Sequence, residues 1–446
     1  MKITNTIHSI FFSAVKLKRN EGFLFSGAFL AFFFLMCAYY IIRPIRDEMG
    51  IQGGVDSLQW LFSLTFGGML LVVPAFGWAT RRFSGRRLIP IIYTFLIINI
   101  LTFFFFFYVM KETVILARIF FVWVSVFNLF IISLFWSYMN DLFSPEQTHR
   151  LFAPIAAGGS AGAVAGPGVA LALNRWFDPI FLLPVSAFLL LVSVFFIFIL
   201  PGYSPQNKII SKTEDLENKE TIQGSIYSGM LRVFRSPYLS GISLYLIFHS
   251  ALSTFLYFEQ AHIIKEYIHS PSERTSLFAL MDLSVNIITI LSQLFISSRI
   301  NIRYGIAVSL AIIPAASAAG FFILGLYTVP VTLVVFQIIR RSGNYAVARP
   351  AREILFTVLP KEDRYRSKNF IDTVIYRGGD AGSGWIFSAL KGFMNPGSIA
   401  FAAVPIALLW AVTGFLLGKS YYLKDRKEKC SSQNESLSFE FAREKS

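Results

Sequence analysis

From Gly22 to Ile42 the chain carries no Asp, Glu, Lys or Arg. A helix needs about 20 consecutive apolar residues to cross the hydrocarbon core of a bilayer, and this run supplies them. Runs of similar length recur along the 446 residues, which are 55% hydrophobic and include 48 phenylalanines. Only 15% of residues are charged, against about 25% in an average soluble protein, and the mean hydropathy is +0.59. The runs are continuous rather than alternating, which excludes an outer-membrane barrel. An all-α polytopic membrane protein is the expectation. The first run is too long for a signal h-region and ends without a small-residue cleavage site, so it reads as a retained span.

Twelve spans are expected, at about 22–43, 56–79, 88–110, 112–140, 150–174, 178–200, 238–264, 275–297, 304–327, 329–347, 368–391 and 397–418. Residues 1–20 read as an amphipathic cytoplasmic segment carrying Lys16, Lys18 and Arg19. A six-helix half over 21–200 precedes a polar linker over 201–236, which contains Glu214-Asp215-Leu216-Glu217. A second six-helix half covers 237–418, and the charged, serine-rich 419–446 reads as a disordered cytoplasmic tail.

The net charge of +14 does not point to nucleic acid, because most of the 40 Lys and Arg gather in alternate loops. That asymmetry puts both termini in the cytoplasm and suits a bacterial inner membrane. Two cysteines and five scattered histidines offer neither a disulfide framework nor metal spacing. G-x-x-x-x-G-K-[ST] is absent and no glycine run fits G-x-G-x-x-G, so no cofactor is expected and the chain does not read as an enzyme.

Six spans, a linker and six spans is the layout of a two-half secondary transporter. The halves echo each other: Pro145-Glu146 and Arg150 precede Gly158-Gly159-Ser160-Ala161-Gly162, and Pro360-Lys361-Glu362-Asp363 and Arg366 precede Gly378-Gly379-Asp380-Ala381-Gly382. Parallel halves of this kind build major facilitator transporters. The loop Gly77–Arg87 resembles that superfamily's G-x-x-x-D-R-x-G-R-R signature, with Arg81 in place of the aspartate and one extra residue before Gly85.

Ionisable residues inside spans are costly, so they mark pathways. Arg43, Arg46, Asp47 and Glu48 surround Pro44 at the end of the first span. Asp282, Asn286, Thr289 and Gln293 share one face of span eight, lining a cavity or a hydrogen-bonded seam. His249, Ser253, Tyr257 and Gln260 follow similar spacing on span seven, with Glu259 beside them near the outer end. Arg118, Ser125 and Asn128 lie on one face of span four, where Arg118 is close enough to the boundary to snorkel. Span eleven offers Asn369, Asp372, Thr373, Tyr376, Arg377 and Asp380. Counted from Lys368, Arg377 falls about 14 Å deep. It has two options: pairing with Asp372 or Asp380, or presenting its planar fork to a phosphate or carboxylate.

Tyr39, Arg43, Arg46 and Asp47 resemble the first-span signature Y-x-x-L-R-D-x-K-D of the ATP/ADP translocases of intracellular bacteria and plastids. Lys368, Asp372 and Arg377, followed by glycines, are similar to that family's K-x-x-x-D pattern. Pro44 replaces an aspartate and Arg46 a lysine. The resemblance implies a major-facilitator-like fold and exchange of nucleotides, with Arg43, Arg46 and Arg377 on phosphates. The departures point to a divergent relative with its own anionic substrate.

The expected function is alternating-access transport of an anionic, phosphorylated solute by a monomer in the bilayer. Arg43, Arg46, Arg118 and Arg377 would hold the solute, helped by Asn128, Asn286 and Tyr376. Asp47, Glu259, Asp282, Asp372 and Asp380 would pair with the arginines in the empty site, or titrate. The alternatives are a proton-coupled carrier of another small solute, a non-transporting assembly protein, and an intramembrane lipid-modifying enzyme. For the last, His149 near Asp141 is the only local pair.

Overall fold

The computed structural model describes residues 18, 21–82, 85–110, 113–200, 226–360, 364, 367, 368 and 370–443, and it contains no strand among them. The amphipathic segment expected over 1–20, most of the linker and Asn369 lie outside the described residues. Ten of the helices are long and apolar enough to cross a membrane. The two expected spans missing from those ten are 329–347, whose second part is polar from Arg340 to Tyr345, and 368–391, which carries Lys368, Asp372, Arg377, Asp380 and Lys391. Each is interrupted by a π-helical turn, at Asn344–Ala348 and Ile371–Ile375.

Two compact units emerge. The first comprises Met1–Lys219 with Ile264–Ile287, and the second Glu220–Ile263 with Ile288–Ser446. The sequence halves, 21–200 and 237–418, differ from these units by the stretch Ile264–Ile287. Side-chain bonds within the first unit account for its place there. Asn174 Nδ2 donates to Ser272 O and Ser276 Oγ, each at 2.7 Å, and Asn286 Nδ2 donates to Ala163 O at 2.6 Å.

The first unit is built on α1 (Gly22–Gln52), followed by α2 (Leu58–Arg82), α3 (Gly85–Met110), α4 (Val114–Leu142), α5 (Pro145–Leu173) and α6 (Leu182–Ile199). Helix α1 packs on α4, α5 and α6. Its approach to α5 is close because α5 presents glycines there. A Cβ on Gly158 would lie 2.6 Å from the Phe29 carbonyl oxygen, and one on Gly166 would lie 2.6 Å from that of Cys37. Small residues that let backbones meet are the usual route to tight packing where lipid removes the hydrophobic drive between helices. Ser186 and Ser193 of α6 add bonds of 2.8 Å to the Ala38 and Ala31 carbonyls of α1.

The second unit starts at α7 (Ile226–Arg235), which occupies the end of the expected linker. Val233 is buried there, so an apolar anchor holds as helix what composition alone reads as solvated chain. Helices α8 (Pro237–Tyr267), α9 (Pro271–Ser292), α10 (Ser298–Leu326), α11 (Pro330–Gly343), α12 (Arg349–Leu355), α13 (Tyr376–Lys391) and α14 (Pro396–Arg443) follow; α9 belongs to the first unit up to Ile287. Helix α14 runs far into the tail expected to be disordered. Between Gly418 and Arg443 it meets no proline or glycine, and Lys, Leu, Arg and Glu all favour helix. It packs along α10, where a Cβ on Gly414 would lie 2.8 Å from the Leu310 carbonyl.

Candidate functional site

Pro44 lies inside α1. Its missing N–H leaves the Tyr40 carbonyl without the usual i→i−4 donor and loosens the helix where its charges sit. Arg43 Nε stands 3.4 Å from Asp282 Oδ2, with the arginine side chain 15% exposed and the aspartate 1%. One turn on, Arg46 grips its neighbour Asp47: Nη2 donates to Oδ1 at 2.5 Å and Nε at 3.1 Å. Arg43 also lies over the Tyr40 ring and Arg46 over the Phe121 ring. The sequence-predicted residues Arg43, Arg46, Asp47 and Asp282 therefore come together in the first unit.

Two residues from the sequence candidates do other work. Arg118 Nε donates to the Gly53 carbonyl at 2.6 Å. A guanidinium there satisfies an orphan carbonyl and the negative dipole at the end of α1, while Gly54 turns the chain with φ +100. Asn286 Nδ2 donates to the Ala163 carbonyl, the kind of bond an interhelical seam makes. The stripe it was assigned to breaks up further on. A π-helical turn over Gln293–Ser297 follows α9, and Gln293 is exposed. Asn128 stays half-buried, and its Oδ1 accepts no hydrogen bond.

Glu48 stands in the charged stretch around Pro44 without a role that its sequence context assigns, and Arg274 stands outside every candidate stripe. Arg274 Nε donates to Glu48 Oε2 at 2.8 Å and Nη2 to Oε1 at 2.7 Å, with Glu48 wholly buried. A signal was present. A basic residue in the first turn of a helix opposes the macrodipole, so Arg274 needs a carboxylate partner.

In the second unit, Arg377 Nη1 stands 3.6 Å from Asp380 Oδ2, one helical turn on, and lies over the Tyr376 ring. Asp380 also accepts from Ser250 Oγ at 2.6 Å, and Ser250 is in contact with the Tyr376 carbonyl as well. The pairing open between Asp372 and Asp380 goes to Asp380. Asp372 sits in the π-helical turn, within electrostatic range of Arg352 and Lys368. Tyr376 stacks near His249 at 5.9 Å between ring centroids.

Glu259 differs from expectation. Placed near the headgroups by sequence, it is 1% exposed, and neither carboxylate oxygen has a hydrogen-bond partner. Lys391, within electrostatic range, is instead 2.5 Å from His262 Nε2. Of the span-seven stripe, Ser253 and Gln260 meet α11, while His249 packs on Tyr376 and Trp410. Arg340, inside the expected span 329–347 but given no role there, is 7% exposed; it donates from Nη1 to Ser253 Oγ at 2.7 Å and from Nη2 to Gln337 Oε1 at 3.4 Å. Gln337 in turn donates to Gln260 at 2.8 Å. Gln337, Arg340 and Asn344 at helical spacing are the sign in the sequence of a polar face on this span.

A family description of the Major Facilitator Superfamily matches residues 24–364 of this chain. The chain belongs to the Major Facilitator Superfamily. Solved structures of transporters share its fold. A bacterial homolog of the human lysosomal transporter Spinster, inward-facing and unoccupied, superposes with a TM-score of 0.56 at 16% identity, over 92% of this chain and 98% of that one. The nucleoside transporter NupG does so at 0.54 and 16%, over 91% and 99%. The D-xylose-proton symporter does so at 0.58 and 12%, over 90% and 97%. Identities this low speak for the fold alone. No curated protein matches the sequence. As a member of this superfamily the chain is a multi-pass membrane transporter rather than an enzyme.

Proposed function

We propose that this transporter moves an anionic, phosphorylated solute by alternating access, with nucleotide exchange of the ATP/ADP type as the first pair to test. The observation that carries the reading is the paired arginines around Pro44. Arg43 and Arg46 are each held beside one carboxylate, and their side chains remain 15% and 17% exposed. Buried guanidinium groups persist only with partners, and Asp282 and Asp47 supply them. An arriving oxyanion offers the same bidentate acceptor geometry and takes over from the carboxylate. Arg377, held beside Asp380 and 33% exposed, repeats the arrangement in the second unit. The resemblance of Tyr39, Arg43, Arg46 and Asp47 to the translocase signature names the solute class. The bacterial inner membrane, cytoplasmic termini and a monomeric state complete the proposal.

Uptake of labelled ATP, ADP and other phosphorylated solutes, with unlabelled solute loaded inside, tests it. Uptake that requires internal nucleotide and is lost in Arg46→Ala and Arg377→Ala supports exchange. No uptake of any of these solutes by correctly inserted protein removes the assignment.

A second reading, proton-coupled carriage of another small solute, is favoured by Glu259, whose buried carboxylate has no hydrogen-bond donor. Raising the external pH separates the two, because proton symport fails there while exchange persists.

A further inference from the structure

Arg340 is a buried guanidinium with no carboxylate opposite it among the described residues. Its two bonds go to neutral acceptors, Ser253 Oγ and Gln337 Oε1, and its Nε is buried with no partner at all. Neutral acceptors solvate a charge but do not cancel it, and a lone buried charge is among the costliest features a fold can carry. Two acids of the second unit are engaged elsewhere. Asp380 is held by Arg377 and Ser250, and Glu353 by Lys368 and Arg352. The local field is positive, since Arg340, Arg349 and Arg352 all lie within electrostatic range of His249.

The acceptors themselves are fixed. Ser253 donates to the His249 carbonyl at 2.6 Å, and Gln260 orients Gln337 through its amide. A guanidinium has five N–H groups in a rigid fork. Here two are taken by these supports, and the unbonded Nε belongs to the remainder. A fork so held, beside the π-helical turn Asn344–Ala348, has the form of a preorganised donor to an oxyanion.

We propose that Arg340 is an anion-binding residue of the second unit, taking a carboxylate or phosphoryl oxyanion carried by the transported solute. The inference rests on the anion-transport reading and adds to it a residue that neither the translocase resemblance nor the Arg–carboxylate pairs point to.

The test is thermal melting of the full-length protein in nanodiscs of neutral phosphatidylcholine, titrated with inorganic pyrophosphate or with citrate. Wild type is expected to melt higher as either probe is added. Arg340→Gln is expected to melt as high as wild type or higher without probe, because it removes a lone buried charge, and to lose the probe-dependent rise. A structural arginine behaves in the opposite way: the variant melts lower and keeps the rise. That result overturns the proposal while leaving anion transport standing. If Arg340→Gln does not fold, Arg340→Lys replaces it. The lysine keeps the charge but not the fork and should raise the half-saturating probe concentration about tenfold, the worth of one charge-assisted bond; an unshifted titration overturns the proposal. Wild type unmoved by both probes also overturns it, and the uptake assay then decides independently whether anion transport falls too. Nanodiscs containing anionic phosphatidylglycerol form the last arm. A rise produced by that lipid alone, abolishing the pyrophosphate effect, assigns the oxyanion to a headgroup and overturns the solute assignment.

Discussion

Glu48 and Arg274, 226 positions apart, close a two-bond ion pair with the carboxylate at 0% and the guanidinium at 9% side-chain exposure. Gln52 adds a third donor to Glu48 Oε1 at 3.2 Å. Removing one partner strands the other, and an uncompensated buried charge costs about 3–5 kcal/mol. Arg274→Ala and Glu48→Ala should therefore each lower the melting temperature strongly. The double replacement with apolar residues should recover much of the loss, since a buried pair and a well-packed apolar substitute are often close in energy. Thermal melts of the three variants check this. Additive losses in the double variant would show that the pair is not coupled.

Glu21, just before α1, gives a pH dependence with a definite sign. Burial pushes its carboxyl up, but bonds from Arg150 at 2.8 and 3.1 Å, from the Lys18 backbone and from Gln147 outweigh burial. The net result lies below the ordinary value of 4.5. A carboxylate whose folded pKa is depressed contributes stability above its unfolded pKa and loses it as pH falls through the folded one. Melting temperature should thus drop as the medium is acidified below about pH 4.5. Glu21→Gln should flatten the drop, and a slope unchanged in the variant would assign it to other groups.

Much of this fold was legible because the bilayer imposes its own rules. Span length and the small residues of α5 are written locally in the sequence, and each has a direct physical reading. Partnership is not local. Nothing in the order of residues says that Glu48 meets Arg274 while Arg46 turns to Asp47, or that Asn286 donates to the Ala163 carbonyl. Arg340 went without a role for a related reason. An arginine near the end of a span reads as a membrane-boundary charge, yet here it is buried against Ser253 and Gln337.

Two glycines on α5 separate packing from mere helix-breaking composition. Gly166 faces α1, where a Cβ would lie 2.6 Å from the Cys37 carbonyl oxygen, whereas nothing lies within 4 Å of a Cβ at Gly168. Gly166→Ala must push two backbones apart and should cost about 1–3 kcal/mol. Gly168→Ala meets open space and should be neutral or stabilising by up to about 1 kcal/mol, the helix-propensity difference. Denaturation of both variants under one condition checks the contrast, and equal effects would mean that the α1–α5 contact is not this close.

Glu259 offers the sharpest division between the two transport readings. Both its oxygens are buried without a donor, so the surroundings are built for a neutral group and an ionised one would be poorly solvated. Glu259→Gln supplies a permanently neutral side chain of the same shape, and the protein should insert and melt as wild type does. If the solute is exchanged without protons, uptake by the variant should keep the external-pH profile of wild type. If protons are coupled, the variant should lose concentrative uptake while retaining counterflow of labelled solute, because only the proton-bearing step is removed. A large fall in melting temperature would contradict both expectations, for it would require the ionised carboxylate to be a structural partner that the geometry around Glu259 does not supply.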